Sequence, residues 1–172
     1  MPRKPWLYLL MIAPLAGPAH AADDTAPEIE RPVAPPQAVG EVHALRTIPE
    51  ACARIEGVFT GNATEPYRFA VLPTHSNCQP RARFVDATEV GPDTASGWIF
   101  NDLIRIPSEA CPSQHALVRV WRKPGSAAPL ELDAQGRVRI YLQESKQTAG
   151  GAASKLPLFT AAMAVEGEAC EN

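Results

Sequence analysis

Basic and aromatic side chains alternate along two segments of the sequence. Arg119 and Trp121 are two residues apart, and so are Arg139 and Tyr141. Because side chains two positions apart share one face of a β-strand, each pair would lie on one side of a sheet, and Arg105 could join them from a third strand. A guanidinium binds carboxylates through a planar fork, and aromatic rings stack on flat or sugar-like ligands. The sequence therefore predicts a binding face for an anionic or carbohydrate-like ligand or for a protein, made of Arg105, Arg119, Trp121, Arg139 and Tyr141.

The alternative interpretation of this face is structural. Acidic residues in neighbouring predicted strands could pair with the arginines, namely Asp86, Glu89, Glu131 and Glu144. Such cross-strand pairs contribute about 0.2–1 kcal/mol each. The arginines would then be ordinary solvated residues without a ligand.

One carboxylate falls where the strand pattern expects an apolar side chain. Strict alternation over residues 98–106 places Asp102 on the same face as Phe100 and Ile104, toward the core. A buried carboxylate is unfavourable unless it is hydrogen-bonded or ion-paired. Either a β-bulge at Asn101 and Asp102 redirects the chain, or Asp102 meets an inward-pointing arginine or lines a functional cavity.

Common catalytic signatures are absent from the sequence, including the Gly-x-Ser-x-Gly and His-Glu-x-x-His motifs, the phosphate loop and the dinucleotide fingerprint. A hydrolytic set could be assembled only from distant positions, with His75 or His115 as base, Ser108 or Ser113 as nucleophile and Asp102 as orienter. Because most small proteins offer such a set, we expect no enzyme and no cofactor. A small secreted hydrolase remains the third hypothesis.

The four cysteines predict two disulfides, because an even count is typical of exported proteins. If the strands run up and down, all four cysteines fall at one end of the domain. The predicted pairs are Cys52–Cys170, which would join the two ends of the domain, and Cys78–Cys111, which would join neighbouring loops.

A zinc site is the alternative use of two of these cysteines. His75 and Cys78 form one compact pair, and Cys111 and His115 form another, a ligand set that tetrahedral zinc accepts. Exported thiols are normally oxidised. We therefore expect disulfides and no metal.

Residues 1–21 have the three parts of a secretory signal peptide. Two basic residues precede an apolar run at 6–13, and Ala19-His20-Ala21 is typical of a cleavage site. The run is too short to cross a hydrocarbon core of about 30 Å comfortably. The sequence predicts cleavage after Ala21, a periplasmic or secreted location and no membrane insertion of the mature chain. The 12 arginines against 4 lysines favour a bacterial source.

Residues 22–46 predict a disordered, flexible tether. They contain four prolines among small and acidic residues and show no apolar periodicity. Such sequences favour extended, polyproline-like conformations. The tether would hold the domain clear of the membrane or of a partner, and a proline-motif ligand is the alternative.

Residues 47–172 predict a single β-domain, because short alternating runs are separated by turns rich in Gly, Pro, Asn and Asp. The fold class is all-β, an antiparallel sandwich or small barrel of about seven to eight strands braced by disulfides. The predicted strands are Arg54–Thr60, Tyr67–Leu72, Arg81–Val90, Trp98–Ile106, His115–Arg122, Leu130–Leu132, Arg137–Leu142 and Leu158–Val165.

Charge and export together indicate the class of function. The chain has a net charge of −3, and removal of residues 1–21 takes away two further cations. A net-acidic protein binds nucleic acid poorly, because affinity for phosphates comes from basic residues, so we expect no nucleic-acid partner. The leading hypothesis is a non-catalytic binding module of the bacterial envelope, with an envelope ligand or protein as its partner. The second is an inhibitor of an envelope hydrolase, such as a lysozyme or protease, acting through a loop near Cys78 or Cys111.

Overall fold

A computed structural model describes residues 26–126, residue 134 and residues 156–170, and it consists mostly of β-strands. The first sheet is antiparallel, with β1 (His43–Ile48), β2 (Ala53–Phe59) and β3 (Tyr67–Pro73) side by side in that order. The second sheet contains β4 (Arg83–Phe84), β5 (Ile99–Pro107), β6 (His115–Lys123) and β7 (Leu158–Glu166). Its order is β4-β7-β6-β5, with β4 parallel to β7 and the other pairs antiparallel.

Both sheets contribute to one hydrophobic core. Alternate residues of each long strand point inward, as a side-chain period of two requires. Burial of each large side chain contributes about 1.5–3 kcal/mol. In these residues the two sheets remain open and do not close into a barrel. The larger core residues are Ile48, Ile55, Phe59, Tyr67, Ile104, Ile106, Val118, Val120 and Phe159.

Five of the eight predicted strands are confirmed, with ends that differ by at most one residue. They correspond to β2, β3, β5, β6 and β7. The predicted strands Leu130–Leu132 and Arg137–Leu142 lie outside the described residues. The strand β1 was not predicted.

The predicted strand Arg81–Val90 is wrong over most of its length. Only Arg83 and Phe84 form a strand, and residues 87–90 form a one-turn helix, α1 (Ala87–Val90). The Asp86 side chain accepts a hydrogen bond from the Thr88 amide at 2.8 Å and so begins the helix. Gly91 ends it with a φ of 49°. Among the residues that the structure describes, no helix is long and apolar enough to span a membrane.

The predicted tether differs from the structure over residues 26–46. Residues 28–37 lie along the edge of β5, where the amides of Ile29, Ala34 and Gln37 donate to its backbone carbonyls at 2.8–3.0 Å. Because no proline occupies a position that donates to β5, the prolines are compatible with this edge. The chain then crosses to the first sheet, where the Gly40 amide donates to the Phe59 carbonyl. We call residues 28–40 the N-terminal strap.

The predicted domain boundary at 46/47 falls inside β1, which begins at His43. The predicted signal peptide, residues 1–21, lies outside the described residues.

The predicted disulfide pairing is wrong, since the disulfides are Cys52–Cys78 and Cys111–Cys170. Antiparallel pairing explains both. His115 at the start of β6 lies opposite Glu166 at the end of β7, so the cysteines four residues beyond each strand end meet. Likewise Cys52 immediately precedes β2, whose first residue lies opposite the last residue of β3. Each disulfide therefore joins the two strands of one antiparallel pair. The number of strands between two cysteines indicates only at which end of the domain each cysteine lies, and not which cysteines pair.

Candidate functional site

The structure places three of the predicted binding residues on one face of the second sheet. Along β6, Val118 and Val120 point into the core, and Arg119 and Trp121 therefore lie on the opposite face. The register pairs Arg105 of β5 with Leu117 of β6, which puts Arg105 on that same face. The other two predicted residues, Arg139 and Tyr141, lie outside the described residues.

Two further aromatic rings belong to this face. Trp121 stacks on Phe100 with ring centroids 5.0 Å apart and an interplanar angle of 28°. Nearby, the Lys123 Nζ atom lies 5.9 Å from the centroid of the Trp98 ring, a cation–π contact. Trp98 and Phe100 are buried, whereas Trp121 is half-buried. We call Arg105, Arg119, Trp121, Lys123 and the supporting Phe100 the basic-aromatic face.

A β-bulge explains why sequence reasoning placed Phe100 incorrectly. Phe100 lies opposite Trp121, but Asp102 lies opposite Val120, so Asn101 is an extra residue in β5. The extra residue reverses the alternation. Phe100 and Asp102 therefore lie on opposite faces, although strict alternation predicted one face for both.

The charges of the basic-aromatic face are only partly compensated. Arg105 Nη1 lies 3.9 Å from Glu166 Oε2, and both side chains are about half exposed. Within residues 26–126 and 156–170, Arg119 has no acidic partner. Asp86, one of the alternative partners, caps α1 instead, and Glu131 and Glu144 lie outside the described residues. Arg119 is thus a half-buried cation beside a stacked tryptophan.

Only part of this side of the sheet is accessible. Leu117 and Thr160 have 0 % exposure, and Thr160 lies directly opposite Trp121 in the β6–β7 register. The Thr160 hydroxyl has no hydrogen-bond partner among the described residues. On this side Arg105 is exposed, and Arg119, Trp121 and Lys123 are partly exposed.

Asp102 is fully buried and neutralised by two arginines. Arg31 Nε donates to both carboxylate oxygens at 3.0 and 2.9 Å, and Arg46 Nη1 lies 3.3 Å from one of them. Both features predicted for Asp102 are present, the bulge and the inward arginine. Arg31 belongs to the N-terminal strap and Arg46 to β1, so this ion cluster joins the strap, the first sheet and the second. Both arginines lie in residues 22–46, which the sequence predicts to be a tether, so neither is predicted to contact Asp102.

A second ion pair fixes the beginning of the strap. Arg122 Nε and Nη2 donate to the two carboxylate oxygens of Glu28 at 2.6 and 2.5 Å. Asn101 Nδ2 also donates to Glu28 at 3.0 Å. The bonds from Arg122, and then that from Asn101, lower the pKa of Glu28 to about 2. The same pair raises the pKa of Arg122.

The carboxylate and the two hydroxyls proposed for hydrolysis are engaged elsewhere. Asp102 contacts arginines and no histidine, Ser108 Oγ accepts from the Cys111 amide at 3.2 Å, and Ser113 Oγ donates to the Glu168 carbonyl at 3.0 Å. Cys78 and Cys111 lie in different disulfides, so the alternative zinc set has no thiolates. A cavity of about 100 Å³ borders Cys111 and Cys170, small beside the ~300–1,000 Å³ of ordinary ligand pockets.

No family model matches the chain, and neither a curated protein nor a solved structure matches it.

Proposed function

We propose that this protein is an exported, non-catalytic binding module of the bacterial envelope, and that the basic-aromatic face recognises a carbohydrate bearing carboxylates. The observation that carries the proposal is the half-buried Arg119 without an acidic partner among the described residues, next to a tryptophan held by stacking on Phe100. This combination supplies a charge and a flat apolar surface at a fixed separation.

The spacing suits one acidic sugar. Residues two apart on a strand are separated by about 6.6 Å, so a ring lying against Trp121 can direct its carboxylate to Arg119. Stacking on Phe100 restricts the Trp121 side chain before binding, which lowers the entropic cost of complex formation. The exposed Arg105–Glu166 pair is of a kind that contributes about 0–1 kcal/mol, so a second carboxylate could displace Glu166 at little cost.

Two features support an exported protein. All four cysteines are paired in disulfides, which form and persist in oxidising compartments. The predicted signal peptide at residues 1–21 agrees with this location.

The proposal is tested by calorimetric titration of the mature protein with oligogalacturonate and with a neutral cello-oligosaccharide. We expect saturable binding of the acidic glycan alone. Trp121→Ala and Arg119→Ala should each weaken it by about 2 kcal/mol, the loss typical of a central anchor. Both variants should remain folded, and only Trp121→Ala should lower the melting temperature, because it loses the stacking on Phe100. Arg54→Ala, on the other sheet, is the matched control and should bind normally. Equal binding of the neutral glycan, or full binding by both face variants, would overturn the proposal.

A loop-mediated inhibitor of an envelope hydrolase is the second proposal. It is supported by the loop between β5 and β6, where Glu109, Ala110 and Pro112 are exposed while Cys111 anchors the loop to Cys170. A rigid exposed loop with an acidic residue suits the cleft of a basic enzyme. Inhibition of lysozyme by the mature protein, abolished by Glu109→Lys but not by Arg119→Ala, would support this function instead.

A further inference from the structure

The outer edge of β3 carries backbone groups that face away from its neighbour β2. Just beyond one end of the β2–β3 pair, the Thr60 amide donates to the Pro66 carbonyl at 3.0 Å. Just beyond the other end, the Thr74 amide donates to the Cys52 carbonyl at 2.9 Å. The register between these points is continuous. Because hydrogen-bonded pairs alternate along an antiparallel ladder, the even-numbered residues of β3 bond to β2 and the odd-numbered residues face outward.

The outward groups are the amides and carbonyls of Tyr67, Phe69 and Val71 and the carbonyl of Pro73. Proline at the outward position 73 fits this parity, since its missing N–H is not needed for the ladder. Within residues 26–126 and 156–170, β3 pairs with no strand other than β2. Among these residues no further strand pairs with this edge, and residues 70–73 are exposed.

An apolar groove of about 340 Å³ lies beside the outer edge of β3, between β3 and β4. Val71, Leu72 and Pro73 line one side, and Ala82 and Phe84 line the other. Val71 and Leu72 are exposed. The groove is thus bounded by the edge strands of two different sheets, which is the geometry that an added strand would fill.

The edge lacks most of the features that normally prevent strand pairing. Protected edges carry bulges, inward-pointing charges or several prolines. By contrast, β3 pairs with β2 without a register shift, and its only charged residue is Arg68. Its single proline stands at the last position of the strand.

The charges around the groove favour an acidic occupant. Arg83 lines the groove. Arg81, two residues before β4, and Arg68, in β3, are both exposed. In the part of the chain that the structure describes, none of the three forms an ion pair. A second copy of this chain would bring the same arginines to the seam, and like charges opposite each other are unfavourable.

We propose that β3 and the adjoining groove form a second binding site, which takes an extended acidic segment of a partner protein as an added β-strand. Main-chain hydrogen bonds to Phe69, Val71 and Pro73 would hold the segment. Alternate side chains of the segment would enter the groove, and carboxylates would pair with Arg81 and Arg83. The site is separate from the basic-aromatic face and does not depend on it.

The test uses the mature protein and fluorescein-labelled acetyl-Glu-Val-Glu-Val-Glu-amide. We expect saturable binding that weakens with salt. At least tenfold weaker binding is expected for the peptide with Lys in place of Glu, and for the acidic peptide with alternate amides N-methylated. Hydrogen exchange should slow at the Phe69 and Val71 amides on binding, while the Ala70 and Leu72 amides, already bonded to β2, should not change.

Variants of the protein test separately the groove arginines, the backbone amides of β3 and the basic-aromatic face. Arg81→Glu/Arg83→Glu should lower affinity for the acidic peptide at least tenfold without changing the melting temperature, because both side chains are exposed. Val71→Pro removes an outward amide and should abolish binding, whereas Leu72→Pro removes an inward amide and should lower the melting temperature. If Val71→Pro fails to fold, the N-methylated peptide tests the same hydrogen bonds. Arg119→Glu is the control, with unchanged peptide affinity expected even if the basic-aromatic face binds nothing.

Three results would overturn the proposal. The first is equal affinity for the acidic and the basic peptides. The second is peptide binding without slower exchange at Phe69 and Val71. The third is a dimer, seen by sedimentation, that protects these same amides in the absence of peptide, which would make a second copy the occupant.

Discussion

Asp102 shows how one buried charge connects three parts of the chain. Its carboxylate is fully buried, and Arg31 and Arg46 approach it from the strap and from β1. Asp102→Asn keeps the shape but leaves two guanidiniums beside a neutral amide. Because loss of one partner from a buried ion pair leaves uncompensated charge, we expect a loss of about 3 kcal/mol in the free energy of unfolding, measured in urea.

An exposed ion pair provides the control for Asp102. Arg54 Nε lies 2.7 Å from Glu56 Oε1, but the Arg54 side chain is 44 % exposed. Arg54→Gln should therefore cost less than about 1 kcal/mol. Similar small losses for both variants would show that Asp102 has little importance for stability.

Gly57 is required because a tyrosine fills the space where its side chain would be. A Cβ atom at position 57 would overlap the hydroxyl of Tyr67, which is fully buried and hydrogen-bonded to His43 Nε2 at 2.8 Å. Burial raises the pKa of Tyr67 and lowers the pKa of His43. Gly57→Ala should therefore reduce the free energy of unfolding by about 1–3 kcal/mol, as overpacking does.

A double-mutant cycle tests that explanation. Tyr67→Phe removes the atom nearest to the new Cβ, so the loss caused by Gly57→Ala should be smaller in the Tyr67→Phe background than in the wild type. Urea unfolding of the four proteins measures the difference. Additive losses would mean that Gly57→Ala acts through the backbone and not through Tyr67.

At the scale of elements, the N-terminal strap should make stability depend on pH. The pKa of Glu28 falls from 4.5 to about 2 on folding, chiefly through the bonds from Arg122. A carboxyl whose folded pKa is depressed contributes stability that is complete above its unfolded pKa and is lost as the pH falls toward its folded pKa. The contribution of Glu28 should therefore disappear between about pH 4.5 and pH 2.

Glu28→Gln tests this window. The pair with Arg122 is about one-third exposed, so solvent limits its contribution to about 1 kcal/mol. The variant should be less stable than the wild type at pH 6, and the difference should vanish near pH 2, as measured by urea unfolding at each pH. A difference that persists unchanged at pH 2 would show that the substituted amide perturbs packing and not charge.

The elements that the sequence predicts well are those with a strong local pattern. Alternation in His115–Lys123 identifies β6 and its two faces, because Ala116, Val118 and Val120 on the inward face are apolar and most of the outward residues are polar or aromatic. The strap lacks such a signal, since its prolines are typical of unstructured chain and its attachment depends on amides between them. Strand β1 (His43–Ile48) contains no proline, but the predicted boundary at 46/47 divides it, so it was not predicted as one strand.

At the scale of the whole molecule, the functional face was predictable only where it depends on one strand. Arg119 and Trp121 share β6, so their common face follows from spacing alone. Phe100 joins them through a bulge and the register between strands, and Arg46 reaches Asp102 from the other sheet. These contacts depend on how separate elements pack, which local spacing does not encode.

The two disulfides should stabilise different sheets independently. Cys52–Cys78 closes a separation of 26 residues beside β2 and β3, and Cys111–Cys170 closes one of 59 residues beside β6 and β7. Loop entropy gives about 3.5 and about 4 kcal/mol for these separations. Replacing each pair by alanines should reduce the free energy of unfolding by these amounts, with near-additive losses when both are removed, because the bridges share no strand.

Peptide mapping of the unreduced protein provides the matching covalent test. A protease digest should release a disulfide-linked fragment containing Cys52 and Cys78 and a second containing Cys111 and Cys170. A fragment joining Cys52 to Cys170 would instead tie the first sheet to the second. Removal of either bridge would then weaken both sheets together, and the losses in the alanine variants would depart strongly from additivity.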